Sequence, residues 1–111
     1  MQRQYRIRKN SQFRYVYRRG KSTAGKYMVM VYIKSNRLQA GFSVSKKVGN
    51  AVTRNRVKRR MREHFRLSMG GVRKGSYVFS ARPQAAAADY HDLARDMDRL
   101  LKRAGLIASG Q

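Results

Sequence analysis

The sequence predicts one α+β domain with about three helices packed on a small sheet, and three observations carry that prediction. The chain has 111 residues, which suits a single domain spanning 1–111 and leaves little room for a second. A β-branched and aromatic run, Tyr27 to Ile33, precedes an alternating segment in which Leu38, Ala40, Phe42 and Val44 are apolar. From Ala85 to Gly105 the apolar residues Tyr90, Leu93, Met97, Leu100, Leu101 and Ala104 share one helical face. The hydrophobic fraction of 41% is enough for one modest core and argues against wholesale disorder.

Each element has a local reason. Asn10-Ser11 offers an N-cap and Gly20 a C-terminal stop, and Phe13, Val16 and Tyr17 fall at i, i+3, i+4 between them, so a short helix is expected at 11–19. Tyr27–Ile33 reads as a strand, Lys34–Arg37 as a turn and Leu38–Ser45 as a half-buried strand, and the two strands are expected to pair as a hairpin. Lys46–Asn50 closes that strand and leads into a second helix at 51–68, capped by Asn50 and ended by Met69-Gly70-Gly71. Tyr77–Phe79 is a short third strand, stopped near Pro83. The Ala85–Ala88 run is expected to begin the third helix. That helix places Asp89 and Asp92 early and Lys102 and Arg103 late, as its dipole prefers.

The charge is extreme and uneven. The chain has 27 Lys or Arg against 5 Asp or Glu, a formal +22. Residues 1–82 hold 23 basic residues and one acid, Glu63, so the whole net charge lies there; residues 83–111 hold four of each sign. A compact state so charged repels itself, and a polyanion relieves it; a merely solvated surface needs a net charge of only about 2–8. Arg outnumbers Lys 18 to 9, and its planar fork suits phosphate and stacks on bases. Membrane surfaces attract cations too, but binding there needs a broad apolar helix face, and no basic segment has one. Without cysteine there is no disulfide, no thiol nucleophile and no Cys zinc site. No window approaches a membrane span, and the basic start lacks the apolar core of a signal peptide, so a cytoplasmic protein is expected.

The second helix is the most informative segment. Seven basic residues fall within the thirteen positions from Arg54 to Arg66. At about 100° per residue, Val57, Met61 and Phe65 form one narrow stripe. Arg56, Lys58, Arg59, Arg62 and Arg66 cover the other faces with Asn55, and Arg54 and Arg60 flank the stripe. Arg54 and Arg56 lie near the unfavourable end of the dipole, and Lys58 with Arg62 and Arg62 with Arg66 are like charges at i, i+4. Packing needs only the stripe, so a helix that breaks these rules without local compensation marks a site. His64 and His91 have no ligand partner at metal spacing and read as bystanders. Asp92 and Asp96 form an i, i+4 pair, read as surface charge balance rather than an ion site.

The block Ser43-Val44-Ser45-Lys46-Lys47-Val48-Gly49-Asn50-Ala51-Val52-Thr53-Arg54-Asn55-Arg56-Val57-Lys58-Arg59 closely resembles the RNR signature of the protein subunit of bacterial ribonuclease P. The resemblance extends over residues 3–105 in the order and length of the elements, with a late Ala81-Arg82-Pro83 strand end. One departure is Gln12, where the family often has an acid before the Phe, and it bears on capping. The resemblance implies a mixed α/β sandwich with a left-handed βαβ crossover, of the ribosomal protein S5 domain 2-like type. It implies an RNA-binding subunit of a holoenzyme whose catalytic RNA binds Mg²⁺ and cuts the 5′ leader from precursor tRNA. No catalytic residue or metal ligand is expected in the protein, and its five acids are a poor basis for a two-metal site.

The same resemblance assigns Lys46, Lys47, Asn50, Arg54, Asn55, Arg56, Lys58, Arg59 and Arg62 to the catalytic RNA. It places Phe13 and Tyr17 on one wall of a leader-binding cleft, with Val29 and Val31 on its floor. Phe13 can equally anchor the core, and the pattern does not fix which way Val29 and Val31 face. The expected partners are ribonuclease P RNA and precursor tRNA, with no membrane and no obligate protein partner. A small basic ribosomal RNA-binding protein is the alternative, since only the 43–59 block separates the two.

Overall fold

The computed structural model describes residues 3–107. Four strands, β1 (Lys21–Ala24), β2 (Met28–Lys34), β3 (Gln39–Ser43) and β4 (Gly75–Ala81), form one mixed sheet in the order β1-β2-β4-β3. Three helices, α1 (Asn10–Arg19), α2 (Ala51–Ser68) and α3 (Tyr90–Arg103), pack on it. The mixed α/β architecture expected of the sequence is the one observed.

The strand order corrects the expected hairpin. β2 and β3 do not pair: β4 lies between them, antiparallel to β2 and parallel to β3. Tyr77, Val78 and Phe79 have no exposed surface, so β4 needs a neighbour on each edge and a cover on each face. The crossover β3-α2-β4 delivers it to the centre. β1 escaped the sequence reading. Its Lys-Ser-Thr-Ala sequence is nearly all exposed, and an edge strand of small and polar residues carries almost no apolar signal.

Alternation along the strands splits the core in two. Met28, Met30, Phe42, Tyr77 and Phe79 face α2 and α3, where Val57, Met61 and Phe65 meet Leu93, Met97, Leu100 and Leu101. Val31 and Val78 face the other way and meet only Ile7, Val16 and their neighbours, under α1. One face of the sheet therefore carries two helices and the other one.

Helix ends also depart from expectation. Lys9, not Asn10 or Ser11, is the N-terminal boundary residue of α1, and the Gln12 side-chain carbonyl accepts the N–H groups of Arg8 and Lys9, both at 3.2 Å. Gln12 thus does by amide what an acid would do by carboxylate. Gly20 ends α1 with an ordinary extended φ of −82°, and space is why it is glycine: a Cβ would lie 2.6 Å from the Val16 carbonyl oxygen and 2.7 Å from Val31. The Ala85–Ala88 run does not begin α3. Pro83–Ala87 is a separate 3₁₀ turn, and Asp89 caps α3 by accepting the Asp92 N–H at 2.8 Å. Asn50 caps α2 as expected, accepting from Thr53 at 2.9 Å.

Candidate nucleic-acid interface

On α2 the buried stripe is Val57, Met61 and Phe65, each without exposed surface. Asn55, Lys58 and Arg59 stand exposed on the outer face, and Lys46 and Lys47 are exposed in the turn before the helix. Arg54, Arg56, Arg60 and Arg62 are half-buried. Two of these cations have a packing role that the sequence did not reveal. Arg56 donates to the Ala86 carbonyl at 3.1 Å, and Arg60 donates to that of Ala88 at 2.9 Å. They tie the 3₁₀ turn to α2, so the stripe alone does not hold the helix.

The cations crowd one another. Burial, with Arg6 and Arg59 nearby, pushes the Arg62 guanidinium below its ordinary value, and only Glu63 opposes this. The Nε groups of Arg54 and Arg56 are buried with no hydrogen-bond partner among the described residues. Such a surface gains from any anion that approaches it. Glu63 offers little relief, since it is already paired with Arg66 at 2.6 Å.

Phe13 is both anchor and wall. Its ring lies over β3, where a Cβ on Gly41 would be 2.7 Å from it, and it packs with the Val16–Val31 cluster. Its free edge lines a cleft of about 580 Å³ with Arg14, Tyr17, Ser43, Val44 and Lys58. Tyr17 is 45% exposed, and its hydroxyl meets that of Ser80 at 2.6 Å. Val29 pairs with Ser80 in register and is half-buried on this face, whereas Val31 is covered by α1. Lys58 lines the cleft, so the aromatic wall and the basic helix meet in one depression.

The other four acids are engaged elsewhere. Asp96 is 1% exposed and accepts the N–H groups of Lys26 and Tyr27 at 3.0 and 2.8 Å, with Arg99 at 3.1 Å. Asp92 closes the capping box with Asp89 and pairs with Arg95. Asp98 meets His64 at 2.8 Å. Asp92 and Asp96 therefore do separate structural work. His64 joins α2 to α3 through Asp98, a tie its sequence position did not announce. Among the described residues no group of three or more His, Asp or Glu side chains is placed to hold a metal. No described helix is long and apolar enough to cross a membrane.

Comparison with known proteins agrees with this geometry. The Ribonuclease P family model matches residues 1–105. The ribonuclease P protein component of Clostridium botulinum (strain Loch Maree / Type A3) is 48% identical over 106 residues, covering 91% of this chain and 95% of that one. That of Caldanaerobacter subterraneus subsp. tengcongensis is 45% identical, covering 91% and 90%. Among solved structures, the Staphylococcus aureus RNase P protein superposes with a TM-score of 0.87 at 32% identity, covering 94% of this chain and 98% of that one. The Thermotoga maritima protein gives 0.79 at 30% identity, covering 88% and 96%. These matches separate the chain from small ribosomal proteins of similar composition. The chain belongs to the ribonuclease P protein family.

Proposed function

We propose that this member of the ribonuclease P protein family uses two adjoining surfaces for two RNAs. Lys46, Lys47, Asn50, Arg54, Asn55, Arg56, Lys58, Arg59 and Arg62 meet the catalytic RNA. Phe13 and Tyr17, above a floor of Val29 that continues to Val31 beneath α1, hold the single-stranded 5′ leader of precursor tRNA. Guanidinium forks suit phosphate oxygens, and exposed rings stack on bases at about 1–3 kcal/mol each. The observation that carries the reading is that Phe13, Tyr17 and Lys58 line one cleft, so a strand on the aromatic wall runs directly to the basic helix.

The chain's own carboxylates do not fit a Mg²⁺ site, because each already serves an arginine, a histidine or backbone N–H groups. Mg²⁺ and the hydrolytic chemistry belong to the RNA subunit in this reading. The protein binds and orients, and its positive field lowers the repulsion between two polyanions, so less divalent ion is needed. Leader removal to give mature tRNA 5′ ends takes place in the cytoplasm.

Reconstitution tests this. Protein mixed with ribonuclease P RNA and precursor tRNA at low Mg²⁺ should accelerate 5′ cleavage, and protein alone should cleave nothing. Site-specific cleavage without RNA would refute the division of labour. Tyr17→Ala should weaken precursor tRNA binding to the assembled complex by roughly 5- to 100-fold and leave mature tRNA binding nearly unchanged, since mature tRNA has no leader to stack. A thermal melt accompanies the variant because it also loses the bond to Ser80. Equal weakening of both tRNAs would place the leader elsewhere.

A further inference from the structure

The strand register shows that α1 does not cover its sheet face but divides it. Ser22, Val31, Val78 and Gly41 form one cross-strand row. α1 sits on that row through Val16 and Phe13. A second row, Ala24, Val29, Ser80 and Ser43, stays open on the Tyr17 side. A third, Ile33, Ser76 and Gln39, lies on the opposite side of the helix. Successive helical residues are about 100° apart, so Tyr15 and Tyr17 flank the buried Val16 symmetrically. Both rings are exposed, Tyr15 at 55% and Tyr17 at 45%.

We propose that the groove on the Tyr15 side is a second binding site for single-stranded RNA, distinct from the leader cleft. It encloses about 440 Å³, and its lining includes Ser11, Gln12, Tyr15, Arg37, Gln39 and Ser76. The chemistry is that of a nucleotide site. Tyr15 offers a ring face, Arg37 a guanidinium for phosphate, Gln39 an amide able to bond a base edge, and Ser11 and Ser76 hydroxyls for ribose or phosphate. The Tyr15 hydroxyl makes no hydrogen bond among the described residues, whereas that of Tyr17 is tied to Ser80. The charge suits this occupant: the lining holds the Arg37 cation and no carboxylate. An RNA strand brings the missing negative charge and the bases to stack.

The test is a titration of the full-length protein with pentaadenylate, followed by backbone amide NMR. The expected result is that the signals of Tyr15, Gln39 and Ser76 shift, as a set separate from Val29, Ser43 and Ser80. Tyr15→Ala should weaken binding at the first set roughly 10-fold and spare the second, while Tyr15→Phe keeps it. Gln39→Ala, on the opposite wall, should also weaken the first set. Tyr15 is exposed, so its variants should retain the wild-type spectrum elsewhere. An abasic strand of the same length and an acidic peptide of equal charge should shift the first set less than pentaadenylate does, since neither offers a base to stack. The proposal is overturned if only the second set shifts, if either control shifts the first set equally, or if Tyr15→Ala leaves it unchanged. Shifts in the first set alone would support this groove and count instead against the leader cleft.

Discussion

α2 and α3 pack side by side on the same face of the sheet and bury similar stripes, yet they treat charge in opposite ways. On α3 each acid meets a partner within the fold. Asp89 caps it in a reciprocal box with Asp92, Arg95 and Arg99 pair with acids three residues earlier, and Lys102 and Arg103 sit at its end. α2 has no acid in its first turn, and its cations lie against one another. A helix whose charges are balanced within the chain is finished when the chain folds. One whose charges are not leaves them open to a partner, which is why the proposed interface lies on α2.

The largest expected effect falls on the finished helix. Asp96→Ala strips the partners from two backbone N–H groups in the β1–β2 turn and from Arg99, and should cost about 2–4 kcal/mol in urea unfolding. RNA affinity of the protein that remains folded should not change. If the loss appears in RNA binding instead, α3 is not the purely structural element described. Arg59→Ala should do the reverse. It removes an exposed cation, so stability should stay within about 0.5 kcal/mol, while affinity for ribonuclease P RNA falls by about 1–3 kcal/mol and the salt dependence of binding becomes shallower.

Arg56→Ala blurs the contrast in a measurable way. Its bond to the Ala86 carbonyl predicts a loss of about 1 kcal/mol in stability in addition to its effect on RNA. Arg56 and Arg59 variants with identical melts would show that the tie to the 3₁₀ turn has no weight. The smallest effect concerns the cap of α3. The Asp92 backbone N–H holds the Asp89 carboxyl below its ordinary value, with burial opposing. A folded-state pKa below the unfolded one gives stability that is present above the unfolded value and is lost as pH falls through the folded one. Lowering pH from about 5 to about 3 should therefore destabilise the wild type more than Asp89→Asn, which keeps the cap geometry without the charge. Parallel pH profiles would remove the charge from the account of that cap.

The helices were legible because their signals are local. A stripe at 3.6-residue spacing identifies Val57, Met61 and Phe65 whatever lies beneath them, and the cations around it are counted directly from the chain. The 43–59 block was legible as a motif for the same reason: its residues are consecutive. Strand pairing is not local. Alternation at Leu38, Ala40, Phe42 and Val44 says that one face is buried, but not that β4, some 35 residues later, takes the place beside it. Nor does Tyr27–Ile33 say which of its two faces α1 will cover. That choice put Val31 under the helix, left Val29 half-buried beside it and produced a groove on each side of α1. The burial of Asp96 and the second duty of Arg56 were hidden for a related reason. A charged residue announces its charge in the sequence, but its partner, 70 positions away for Asp96 with Lys26 and 30 for Arg56 with Ala86, is supplied only by the packed structure.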